Sequence, residues 1–367
     1  MMFNQPRTRL KKRSGVPIKA MGLGLLICAS SLSAPADDAP ASSAKNVEQS
    51  GDSHPVANEA SRNRTVVPAG LIQLPASSKY YSSYAFVVDK KHRTLSVWQQ
   101  TGLGLKEVAC YPADLGKNAG DKRGAGDAKT PEGIYFLQTK LDGPGLDFSK
   151  YGKRAFTTDY PNFFDRNEGK TGSGIWLHAV PDNVALTRGS SGCVVVRNDV
   201  ILDLTQYVRL GRTPLLIQES TELLDAKDIN KRTTDLSQWL ENWRVAWETK
   251  NLDAYMAAYG DDFRSMKMDK AKWRKYKAGL FDQYKQIQVR LSKPAILADR
   301  DRVVVRFLQE YTSDQHADFG EKALFLKHDA NGSYHIVGEQ WTNETGETAR
   351  EEIQATTAAR LDTSSTN

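Results

Sequence analysis

The 367-residue chain has three cysteines, no acidic residue before Asp37 and no apolar run near 20 residues. Three thiols cannot make a disulfide-dense scaffold, so folding must rest on hydrophobic cores, and the length is enough for two. The apolar stretch 20–28 (AMGLGLLIC) is too short to span a bilayer, which takes about 20 residues. The Gly-rich stretch 116–126 (GKNAGDKRGAG) lacks a following Gly-Lys-Ser/Thr, which excludes a phosphate loop of the P-loop type. His316, His328 and His335 are not at metal-ligand spacing, so no metal and no cofactor is expected. The net charge of +6 is equally uninformative about partners. Arg7, Arg9, Lys11, Lys12, Arg13 and Lys19 account for it, and taking these six from 50 basic residues leaves 44 against 44 acidic ones. A nucleic-acid partner is therefore not expected.

Those cations precede the short apolar run and then small residues ending in Ala34-Pro35-Ala36, the layout of a cleavable signal peptide over residues 1–36. Export to the periplasm follows as an expectation. Residues 37–70, rich in Ala, Ser, Asn, Asp and Pro, read as a disordered linker. Cys110 and Cys193 remain in the mature chain, either as free thiols or as one structural disulfide.

From Leu71 the pattern turns to short strands. YAFVVD (84–89) and TLSVWQ (94–99) flank a polar turn and predict a hairpin, and strands are expected at 105–111, 134–138 and 214–218. Residues 142–172, with Tyr151, Phe156, Tyr160, Phe163 and Phe164 among Gly, Pro and Asp, read as a long loop suited to a lid. After a connector at 220–233, Leu236, Trp239, Leu240, Trp243, Ala246 and Trp247 fall on one helical face behind a capping Asp235. Helices at 252–259 and 273–287 and strands at 287–291, 302–311, 323–327 and 334–341 follow, the last pair joined through Asn331-Gly332. Residues 346–367 read as a polar tail.

The stretch 174–197 (GIWLHAVPDNVALTRGSSGCVVVR) holds the chemistry, with His178 fifteen residues before Cys193. A thiolate attacks acyl carbons at neutral pH, and an imidazole can take the thiol's proton. Residue types alone favour a structural cysteine and a core histidine. Strand alternation, however, sets Trp176 and His178 on one face and Ile175 and Leu177 on the other, and puts Cys193 where a polar loop becomes a strand.

These residues resemble the YkuD-type L,D-transpeptidase domain of bacterial cell-wall enzymes, whose signature is a histidine, a spacer and then Ser/Thr-X-Gly-Cys. The upstream Gly-Lys-Asn-X-Gly-Asp and Thr-Pro-Glu-Gly-Ile-Tyr segments extend the resemblance over roughly 71–218. It implies Cys193 as nucleophile, His178 as base, the Ala179 backbone carbonyl as the imidazole's orienting partner, and an oxyanion hole around Gly192. Trp176, Ser190, Ser191, Arg188 and Arg197 are the substrate-binding candidates. Family members often carry arginine two residues after the cysteine, where this chain has Val195. Helices followed by an antiparallel sheet resemble the NTF2-like cone. The expected architecture is a mostly β catalytic domain (a YkuD-like β-sandwich with few helices) over 71–219 and an α+β NTF2-like cone domain over 234–345.

This pairing also looks like the cell-shape L,D-carboxypeptidases of helical bacteria. The implied partners are peptidoglycan stem peptides and an amine acceptor, either a second stem peptide or a protein. The cone's ligand and the oligomeric state stay open. A hydrolase that releases wall-attached protein, and a non-catalytic wall-binding protein with a Cys110–Cys193 disulfide, are the alternatives.

Overall fold

The structure is a computed structural model that describes residues 66–364, with side chains to 357. The signal peptide and most of the expected linker lie outside the described residues. The elements in chain order are β1 (Val66–Pro68), β2 (Leu71–Gln73), β3 (Tyr84–Asp89), β4 (Thr94–Thr101), β5 (Gly104–Pro112), β6 (Gly133–Asp142), α1 (Phe148–Tyr151), β7 (Arg154–Thr158), α2 (Phe163–Asn167), β8 (Trp176–Ala179), β9 (Val194–Val196), α3 (Asn198–Leu204) and β10 (Pro214–Gln218). There follow β11 (Leu223–Asp225), α4 (Ala226–Glu248), α5 (Leu252–Ala257), β12 (Arg264–Ser265), β13 (Met268–Asp269), α6 (Lys270–Gln283), β14 (Ile287–Leu291), β15 (Ala295–Asp299), β16 (Arg302–Ser313), β17 (Ala317–His328), β18 (Tyr334–Asn343) and α7 (Glu347–Ser364).

The first body is an eight-stranded sheet in the order β5-β4-β3-β10-β6-β7-β8-β9. Strand β6 joins its two halves: Gly133 to Phe136 pair with β10, and a register shift after Leu137 turns the rest toward β7. Apolar residues of both halves meet in between, among them Phe86, Leu95, Tyr135, Phe156, Leu177, Val194 and Leu215. That is the expected β-sandwich. Strands β3 and β10 read as continuous apolar runs because they are buried on both faces. The second face of this half, with Ala85, Val87, Ile134, Phe136 and Leu216, packs against Leu297, Val304, Phe325 and Val337 of the second body.

The second body is a six-stranded sheet, β18-β17-β16-β15-β2 with β14 also on β16, wrapped over α4, α5 and α6. The tryptophan face of α4 is core: Trp243 and Trp247 are buried among Tyr255, Phe307 and Tyr311.

Four boundaries differ from the sequence reading. Residues 66–70 are not linker, because Val66–Pro68 pair antiparallel with Leu223–Asp225. Leu71–Gln73 is not part of the sandwich but the edge strand beside β15 of the other sheet. The connector 220–233 holds β11 and two turns of α4, which is capped by Asp225 rather than Asp235. The tail is a helix, α7, whose Ala349 and Ile353 are buried against Tyr80, Tyr81 and Leu308. Physically, three-residue strands carry no periodicity, and two apolar residues per two helical turns are too sparse to show a face. The expected lid at 142–172 is likewise structured, as α1, β7 and α2.

Candidate active site

Strand β8 and the chain entering β9 carry the site. In their parallel pairing Leu177 faces Val194 and His178 faces Val195, which sets Cys193 beside Trp176 at the mouth of the pair. Ile175 and Leu177, 3% and 0% exposed, enter the core and fix the strand, so Trp176 and His178 are turned to the other face. Tyr151 of α1 closes over them, its ring 5.1 Å from that of His178 and 4.8 Å from that of Trp176.

His178 is buried, and its Nδ1 lies 2.6 Å from the Ala179 carbonyl oxygen. A carbonyl only accepts, so Nδ1 carries the proton and Nε2 the lone pair. Burial pushes the imidazole pKa down to about 4, the Ala179 carbonyl opposing burial and the Arg188 guanidinium reinforcing it. Cys193 is half-buried, with Sγ 3.5 Å from the Gly174 carbonyl oxygen. Burial raises its thiol pKa, against the Trp176 N–H and the Lys122 ammonium, which favour the thiolate. At neutral pH the resting pair is a thiol and a neutral imidazole, not an ion pair.

The Ser190 to Cys193 turn is braced from within. Ser190 Oγ donates to the Cys193 carbonyl at 2.7 Å and accepts the Gly192 N–H at 3.0 Å. The Gly192 N–H is therefore engaged within the turn. Gly192 has φ +129°, and a Cβ would stand 2.6 Å from the Lys129 carbonyl oxygen, so only glycine fits this approach. The loop before it is held by Asp114, which accepts the Gly189 N–H at 2.7 Å and bridges its backbone to Val195.

Cys193 and His178 open together onto a groove of about 680 Å³. Arg188, Ser190 and Ser191 line it, whereas Arg197 donates to the Val184 carbonyl at 2.6 Å and braces the loop from outside the lining. Trp176 packs against the Tyr151 ring and is not among the lining residues. Sequence reasoning named Tyr151 only as an aromatic of the expected lid and missed Asp114 and Lys122, the last a buried cation in the groove wall. The only available signal for Lys122 was the alternation of Asp121, Lys122 and Asp127 in the Gly-rich stretch. Cys110, on the edge strand β5, and Cys193 are both free, which removes the disulfide reading.

Two family models match the chain: an L,D-transpeptidase catalytic domain (YkuD) over residues 83–217 and the Cds6 C-terminal NTF2-like domain over 235–340. Across both, the chain is similar to Bdellovibrio bacteriovorus Bd1075, at 44% identity over 77% of this chain and all of that one, with a TM-score of 0.70. The chain carries a YkuD L,D-transpeptidase catalytic domain followed by an NTF2-like domain. It is also similar to the helical cell shape determining protein Pgp2 of Campylobacter jejuni, at 26% identity over 73% of this chain and 96% of that one, with a TM-score of 0.60. A putative L,D-transpeptidase, YafK of Escherichia coli, is 31% identical over 124 residues, 32% of this chain, and the chain spans less than half of that relative's length. The span that the YkuD model matches includes His178 and Cys193.

Proposed function

We propose that the protein is an exported cysteine enzyme that modifies peptidoglycan stem tetrapeptides, acting as an L,D-transpeptidase with an L,D-carboxypeptidase outcome when water is the acceptor. The observation that carries this reading is the pair Cys193 and His178 in one groove, with Nδ1 committed to Ala179 and Nε2 left as the base. His178 Nε2 takes the thiol proton as Cys193 Sγ attacks the carbonyl of the third stem residue. The Cys193 N–H stabilises the tetrahedral oxyanion. Collapse breaks the bond to the terminal D-alanine, whose nitrogen receives the proton from His178, and a thioester remains. An amine then gives a cross-link or a protein attachment; water gives a tripeptide. No step needs a cofactor or a metal.

Arg188, Ser191 and the Tyr151 ring supply polar and stacking contacts along the groove. The likeness to a protein named for helical cell shape supports a role in shaping the wall. Incubation of the purified protein with tetrapeptide muropeptides, read by mass spectrometry, tests the proposal. The expected products are tripeptides or cross-linked dimers, absent with Cys193→Ala. Unchanged substrate with the wild-type protein would overturn it.

A further inference from the structure

A tetrapeptide donor ends in a carboxylate one residue beyond the scissile carbonyl, within one Cα spacing of about 3.8 Å. A cation near Cys193 would hold it, and this chain has Val195, 3% exposed, where family members often have arginine. Among the groove-lining residues the cations are Lys117, Lys122, Lys150 and Arg188, and no carboxylate is present. Lys117, Lys150 and Arg188 are exposed, while Lys122 is 3% exposed. Its ammonium donates to the Gly124 carbonyl at 2.8 Å and to Asp127 at 2.6 Å. An ammonium has three donors, and these two bonds fix its position. Lys122 lines the same groove as Cys193 and favours its thiolate.

We propose that Lys122, held by Asp127, is the residue that binds the terminal carboxylate of the donor stem peptide, in place of the arginine that Val195 replaces. A pre-positioned cation loses less side-chain freedom on binding than the exposed Arg188. Asp127 keeps the arrangement charged. Burial would raise its carboxyl, but the Lys122 ammonium and the N–H groups of Gly124, Arg123 and Lys129 outweigh burial and hold it well below the usual carboxylate range. The site thereby selects donors that end one residue past the attacked carbonyl, since a longer stem puts an amide there.

This inference rests on the proposed stem-peptide activity, and the test separates the two. Turnover of a tetrapeptide muropeptide is compared with that of the same compound ending in a D-alanine carboxamide, for the wild type, Lys122→Gln, Lys122→Arg and Arg188→Gln. Binding of both compounds to Cys193→Ala proteins carrying the same substitutions is measured by calorimetry. The wild type is expected to prefer the free acid by about 10- to 100-fold, mainly in KM, the range of one charge-assisted hydrogen bond. Lys122→Gln should bind acid and amide alike, Lys122→Arg should recover part of the preference, and Arg188→Gln should keep it. Retention of the preference by a folded Lys122→Gln, or its loss in Arg188→Gln, would overturn the proposal. Loss of folding in Lys122→Gln leaves Lys122→Arg and the acid-amide ratio of the wild type as the readout, and a ratio near one would overturn it too. Inertness of the wild type toward both compounds would instead overturn the stem-peptide activity itself.

Discussion

His178 commits one nitrogen to its neighbour's carbonyl and is buried beneath the Tyr151 ring. Burial favours the neutral imidazole, so the proposed base is unprotonated at any pH above about 4. The acid limb of kcat/KM is therefore expected near pH 4 rather than near 6.5, and a pH-rate profile checks it; a limb at the ordinary histidine value would contradict the buried, neutral base. Stability follows the same sign. Between about pH 6.5 and 4 the unfolded chain binds a proton at His178 that the folded one refuses, so this residue lowers stability as the pH falls through that window. How much of the site was legible depended on whether a residue acts through its side chain or its surroundings. Cys193, His178 and the Ala179 carbonyl were singled out through the family resemblance, with the strand face of His178 and the loop-to-strand position of Cys193 in keeping with it. The engagement of the Gly192 N–H, the turning of Arg197 into a loop brace and the arrival of Lys122 were not, because each depends on contacts across the loop.

At the scale of elements, the strong periods survived and the weak ones did not. YAFVVD, PLLIQ and the α4 stripe were long or apolar enough to declare themselves, and the structure places them as core. Strand β15 escaped the sequence reading, although all five of its residues are buried, because buried runs of this length do not separate strand from helix. Helix α7 was hidden by its composition, with Glu, Thr and Arg outnumbering the two residues that matter, Ala349 and Ile353. Its contribution is measurable. Ile353→Ala should cost about 2 to 4 kcal/mol, read by urea denaturation, since it opens the contact with Tyr80, Tyr81 and Leu308. A change within about 0.5 kcal/mol, the range of surface substitutions, would mean that α7 is not packed there.

On the scale of the whole molecule, the two sheets are joined by a shared core and not by a flexible connector. Phe163 of α2 stacks on Phe325 of β17 with ring centroids 4.3 Å apart, and its ring lies where a side chain at Gly338 would have to be, 2.1 Å from a Cβ built there. Ion pairs Arg212–Glu321 at 3.1 Å and Arg300–Glu132 at 3.4 Å, with Arg302–Glu168, cross the same boundary. Chain exchange adds to this, since β2 leaves the catalytic half to edge the other sheet. Residues 66–357 should accordingly unfold in one calorimetric transition, and Phe163→Ala should lower its midpoint without splitting it. Two well-separated transitions in the wild type would contradict a shared core.

The central claim is the proposed role of Cys193 as nucleophile, and the acyl-enzyme tests this most directly. The protein is mixed with a tetrapeptide muropeptide, quenched in acid within the first turnovers and weighed intact, and the adduct is mapped by peptide digestion. The account predicts a thioester on Cys193 whose mass equals the substrate less D-alanine, together with free D-alanine, and neither with Cys193→Ala. Release of D-alanine by Cys193→Ala at the wild-type rate would contradict it.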